Sequence, residues 1–124
     1  MDITMRCLDT YALVEIRNGN PKFAHYLNSN FVIADITLAE FYGVVLRDQG
    51  EEKADYWFKK FQNSSIQVSL SILIQAVKFR HKNKDKNLSW VDAIGYIFAK
   101  QNNHLFVTGD KEFENIEDVE YVKK

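Results

Sequence analysis

Short apolar runs alternate with longer stretches of helical periodicity along this chain. Residues 4–8 read as a buried strand, and Asp9-Thr10 opens a helix to about Ile16, stopped by the turn-forming Arg-Asn-Gly-Asn-Pro run at 17–21. Pro21, the only proline, suits the first turn of a second helix reaching about Asn28. Residues 31–34 form a second strand. A third helix follows at 36–48, with apolar side chains nearly all round, which predicts that it is largely buried. After Gly50 comes an amphipathic helix at 51–62, whose Ala54, Tyr56, Trp57, Phe58 and Phe61 must cover something. A minimal strand at 66–68 precedes a helix at 70–80, a polar loop at 81–87 and a helix at 89–101. Residues 105–108 form the last long strand, 111–114 a helical turn and 119–122 an edge strand.

Strands alternating with helices predict an α/β fold, a mainly parallel sheet of four to five strands flanked by helices. At 124 residues the chain forms one domain over 1–124. In such sheets the functional crevice lies at the carboxyl ends of the strands, and Asp9 and Asp110 stand immediately after two of them.

Composition narrows the picture. Apolar residues make up 46% and charged residues 27%, which argues against long disordered arms. The net charge of −1 carries no global basic signature, although an acid cluster working on a phosphodiester needs only a local basic rim. The single Cys7 forms no internal disulfide and behaves as a small hydrophobe. Without an export signal or a run of membrane-spanning length, a cytoplasmic protein with no membrane partner is expected.

Four acids stand in otherwise mostly apolar or small-residue windows: Asp9, Glu40, Asp92 and Asp110. An ionised carboxylate among apolar side chains is costly unless something positive meets it. Each also has a structural explanation. Thr37 to Glu40 and Ser89 to Asp92 match capping-box spacing, and Asp9 and Asp110 suit helix N-caps. The two readings combine, because helix N-termini carry partial positive charge and are good places to crowd carboxylates that share a metal. Hard oxygen ligands without histidine or thiolate select Mg²⁺ or Mn²⁺. Such a site activates water and stabilises in-line attack on phosphorus. Thr10 and Thr108 are placed to orient a ligand or to hydrogen-bond strand ends, and Gly43 and Gly95, three residues after Glu40 and Asp92, either leave room beside the acids or serve helix packing. His25 and His104 fit no ligand spacing.

The ordered motifs resemble the PIN-domain family, specifically the short VapC-type toxins of toxin–antitoxin pairs. They are Cys7-Leu8-Asp9-Thr10-Tyr11-Ala12-Leu13, Glu40 in its mid-chain apolar helix, Ser89-Trp90-Val91-Asp92-Ala93, and Val107-Thr108-Gly109-Asp110-Lys111-Glu112-Phe113. The resemblance implies an endoribonuclease dependent on Mg²⁺ or Mn²⁺, in which Asp9, Glu40, Asp92 and Asp110 bind metal and activate water. It also implies a homodimer silenced by a cognate antitoxin. The densest positive charge for RNA is Lys78, Arg80 and Lys82 with the loop that follows, and Ser89 with the two threonines is the candidate set for orienting substrate. Two rival readings meet obstacles in the chain itself. A phosphatase of the haloacid dehalogenase type needs a second aspartate where Tyr11 stands. A PIN module that binds RNA or protein without cutting is countered by the presence of all four acids.

Overall fold

Two-residue alternation along three short strands sets the layers. The computed structural model describes residues 4–124. Strands β1 (Arg6–Leu8), β2 (Phe31–Ala34), β3 (Ser65–Ile66), β4 (Leu105–Thr108) and β5 (Val119–Tyr121) pair in the order β3-β2-β1-β4-β5, every pair parallel. Cys7, Val32 and Phe106 point to one face, and Leu8, Ile33 and Val107 to the other. Both faces are covered, as a parallel sheet requires.

On the first face lie α5 (Leu70–Lys82) and α6 (Trp90–Gln101), with Ala93 through Ala99 of α6 buried without interruption. On the second lie α1 (Thr10–Arg17), α2 (Pro21–Ala24), α3 (Asp35–Gln49) and α4 (Glu51–Phe61). The expected turn after α1 forms with Gly19 at φ +76°, and Asn20 caps α2 ahead of Pro21. A 3-10 turn at His25–Asn28 completes the predicted second helix.

Several expectations need correction. The third helix is not buried all round: Thr37, Leu38, Phe41 and Val45 form its buried stripe, while Ile36 and Leu46 are exposed. It borders the sheet on one side only, so apolar content overstates burial. The amphipathic α4 seats Ala54 and Phe61, stacks Trp57 on Phe61, and leaves Tyr56 and Phe58 exposed. The third strand is Ser65–Ile66 rather than 66–68, because only Ser65 and Ile66 pair with β2 at the sheet edge. Helix α5 runs to Lys82, two residues past the expected end, with Arg80, His81 and Lys82 in a last turn where cations suit the helix dipole.

Candidate active site

Chain connections lead from β1 to β2 and β3 on one side, and from β4 to β5 on the other. The strand order therefore reverses between β1 and β4, where an open parallel sheet leaves a crevice at its carboxyl end. Asp9 follows β1 directly and its amide donates to the Val107 carbonyl of β4 at 3.1 Å, while Asp110 lies two residues past β4. Helix α6 leads into β4 and so begins at this same end, with Asp92 in its first turn. Helix α3 leaves β2 here and carries Glu40 in its second turn.

Local hydrogen bonds hold three of the four acids. Asp9 Oδ1 accepts from the Ala12 amide at 2.7 Å, Asp110 Oδ1 from Glu112 at 3.0 Å, and Ser89 Oγ accepts from the Asp92 amide at 3.1 Å. The expected capping box at 37–40 does not form. Asp35 starts that helix, which buries Thr37 inside it and leaves Glu40 half-buried without a capping bond.

The carboxylates perturb one another. Asp9 is 2% exposed, and burial pushes its pKa up to about 8; Asp92 and Asp110 add to the rise, and the Thr108 hydroxyl and Ala12 amide oppose it. Burial likewise raises Asp92 to about 6, reinforced by Asp110 and Glu40 and opposed by the Ser89 hydroxyl and amide. Asp92 is thus coupled to each of the other three acids. Thr108 is fully buried, and its Oγ1 accepts from the Asp110 amide at 3.0 Å, linking the two strand ends.

Asp9 Oδ2 and Thr10 Oγ1, on adjacent residues, are buried without a hydrogen-bond partner. Orphaned buried oxygens in a native fold call for water or an ion. Among the described residues no three His, Cys, Asp or Glu side chains lie close enough to hold a metal as a cage. The all-oxygen donor set instead suits Mg²⁺ or Mn²⁺ bound through one or two carboxylates with water completing the shell. Asp9 with Thr10 and Asp92 would hold such an ion, which would supply an activated water and charge for a developing oxyanion.

The two glycines differ. A Cβ on Gly95 would stand 3.1 Å from Phe106 Cε1 and 3.4 Å from Thr37 Oγ1, so this glycine lets α6 close on β4 and α3, bringing the Asp92 turn to the Glu40 helix. A Cβ on Gly43 would meet nothing within 4 Å, and no packing requires it. Of the α5 cations, Arg80 donates to the Leu88 carbonyl at 3.0 Å and lies 4.4 Å from the Trp90 ring centre, pinning the loop that leads to Ser89; Lys78 and Lys82 are exposed. Sequence reasoning passed over a second cleft, lined by Tyr11, Asp110, Lys111, Tyr121, Lys123 and Lys124. Its one sequence signal is the lysine that follows Asp110.

The family profile of the PIN domain matches residues 6–119, and the chain belongs to that family. Its fold is similar to a toxin–antitoxin complex from Klebsiella pneumoniae, at 21% identity over 93% of this chain and 95% of that one, TM-score 0.73. It is also similar to DNA-bound VapBC from Salmonella typhimurium, at 19% identity over 98% of both chains, TM-score 0.76. A third similar structure is Mycobacterium tuberculosis VapC20, a sarcin–ricin loop cleaving toxin, at 15% identity over 92% of this chain and 98% of that one, TM-score 0.73. No curated protein sequence matches the chain. No described helix is long and apolar enough to cross a membrane.

Proposed function

We propose that this PIN domain is an endoribonuclease that uses Mg²⁺ or Mn²⁺ and serves as the toxin of a VapBC-like pair. The observation that carries the reading is the buried Asp9 Oδ2 beside Thr10 Oγ1, both without protein partners, at the point where β1 and β4 diverge. Asp9 and Asp92 are the primary metal ligands in this reading. Asp110 and Glu40 lie at the rim, where they bind through water or take the proton of the attacking water. Thr108 and Ser89 position Asp110 and Asp92.

An antitoxin fits the same reading. Leu38, Ala39, Tyr42 and Phe58 line a groove of about 460 Å³ between α3 and α4, largely apolar and open to solvent. A peptide with an apolar face is the occupant such a groove suits. The exposed Leu70, Ile74 and Val77 of α5 supply an apolar stripe for a homodimer.

Incubating labelled total RNA with the purified protein tests the activity. Cleavage is expected with Mg²⁺ or Mn²⁺, and not with EDTA or with Asp9→Asn. Cutting that persists without divalent metal would remove the metal site from the mechanism. Growth arrest on expression, relieved by a small neighbouring gene, tests the toxin role separately.

A further inference from the structure

Parallel pairing sets Tyr121 of β5 beside Thr108 of β4, and the Val122 amide donates to the Thr108 carbonyl at 2.9 Å. The segment after β5 therefore emerges at the same end of the sheet as the acids, carrying Lys123 to the Asp110 side. The Tyr11 ring lies against Gly109 so closely that any Cβ there would run into the ring, with Cδ1 at 2.6 Å. Together these residues and Lys111 enclose a cleft of about 420 Å³ that includes Asp110 itself. That volume is within the range of pockets that hold small ligands.

We propose that this cleft is the substrate subsite next to the scissile phosphate. It takes one unpaired nucleotide of the RNA, with its base against Tyr11 or Tyr121 and its phosphate on Lys111 and Lys123. The assignment rests on the nuclease reading above and adds the side from which the strand enters. Two aromatic rings beside lysines suit a single strand, because only an unstacked base offers its face to a side chain. The cleft on the opposite flank, lined by Arg80, His81, Lys84, Lys86 and Trp90, is a poorer seat. Its Arg80 is engaged with Leu88 and Trp90, and none of the four acids lines it. Lys124 contributes less than its neighbours because its Nζ lies 3.5 Å from Glu15 Oε2.

The test is binding of a fluorescent single-stranded RNA oligonucleotide, followed by anisotropy against salt, in an Asp9→Asn background that does not cut. Lys111→Glu with Lys123→Glu is expected to weaken binding about tenfold and to flatten the slope of log affinity against log salt by roughly 0.7 for each phosphate no longer neutralised. Tyr121→Leu is expected to weaken binding with the slope kept, and Lys84→Glu with Lys86→Glu to change neither. Thermal melts confirm that each variant is folded. Unchanged binding in the Lys111/Lys123 variant, an equal loss in the Lys84/Lys86 variant, or equal affinity for a duplex of the same sequence would overturn the subsite. RNA cleavage by the unsubstituted protein is scored apart. Cleavage with no effect of the cleft variants rejects the subsite and keeps the nuclease; no cleavage with the cleft effects intact rejects the nuclease and keeps an RNA-binding cleft.

Discussion

Asp9 meets two opposed demands. Its Oδ1 caps α1, which favours a carboxylate, whereas burial of the whole side chain favours the neutral acid and raises its pKa from 3.8 to about 8. For an acid with a raised folded pKa, stability is fully present below the unfolded value, near pH 4, and is lost as pH rises toward 8. The loss is about 1.4 kcal/mol for each pH unit of that interval. Asparagine keeps an oxygen for the Ala12 amide and carries no charge. Asp9→Asn should therefore melt at a higher temperature than the unsubstituted protein in EDTA at pH 8, with the difference vanishing near pH 4, while RNA cleavage falls by roughly 10²-fold or more. Thermal melts at the two pH values, paired with a cleavage assay, check both halves. Ser89 is the contrasting case. Ser89→Ala should cost about 1 kcal/mol through the lost cap and reduce cleavage by letting the Asp92 turn shift, which a melt and a kcat measurement separate.

At the scale of elements, α6 links packing to the site. Gly95 is the residue that lets it lie against Phe106 and Thr37. Gly95→Ala should destabilise by roughly 1–3 kcal/mol, because the core must move to admit a methyl group, whereas Gly43→Ala, in open space on α3, should stabilise by up to about 1 kcal/mol. Denaturant melts of the two variants decide the point, and equal effects would refute the packing role. These glycines occupy identical offsets from their acids, and both roles fitted the sequence. Only the neighbours across the fold separate them. The same limit applies to the two capping boxes. Ser89 to Asp92 forms its cap because Ser89 is the residue where α6 begins, and Thr37 to Glu40 does not because β2 runs straight into α3 at Asp35.

On the scale of the whole molecule, the acid cluster is a store of charge repulsion that a bound cation would relieve. Millimolar Mg²⁺ or Mn²⁺ should raise the melting temperature of the unsubstituted protein, by an amount equivalent to about 2.7 kcal/mol at a hundred times the dissociation constant, and should leave Asp9→Asn unmoved. Calorimetry in metal and in EDTA reads this without any RNA. Most of the architecture was legible in the chain, because strands, helices, turns and the caps at Asp9, Ser89 and Asp110 depend on residues within a few positions of one another. The sequence by itself determined which acids begin which elements and that strands alternate with helices. Tertiary structure alone decided the order β3-β2-β1-β4-β5, which sets Asp9 and Asp110, from opposite ends of the chain, beside one crevice. It also decided the burial that raises Asp9 and Asp92, and the arrival of Tyr121 and Lys123 next to Asp110. The physical reason is that capping is a bond between chain neighbours. Desolvation, charge coupling and parallel strand pairing depend instead on groups that only folding brings together.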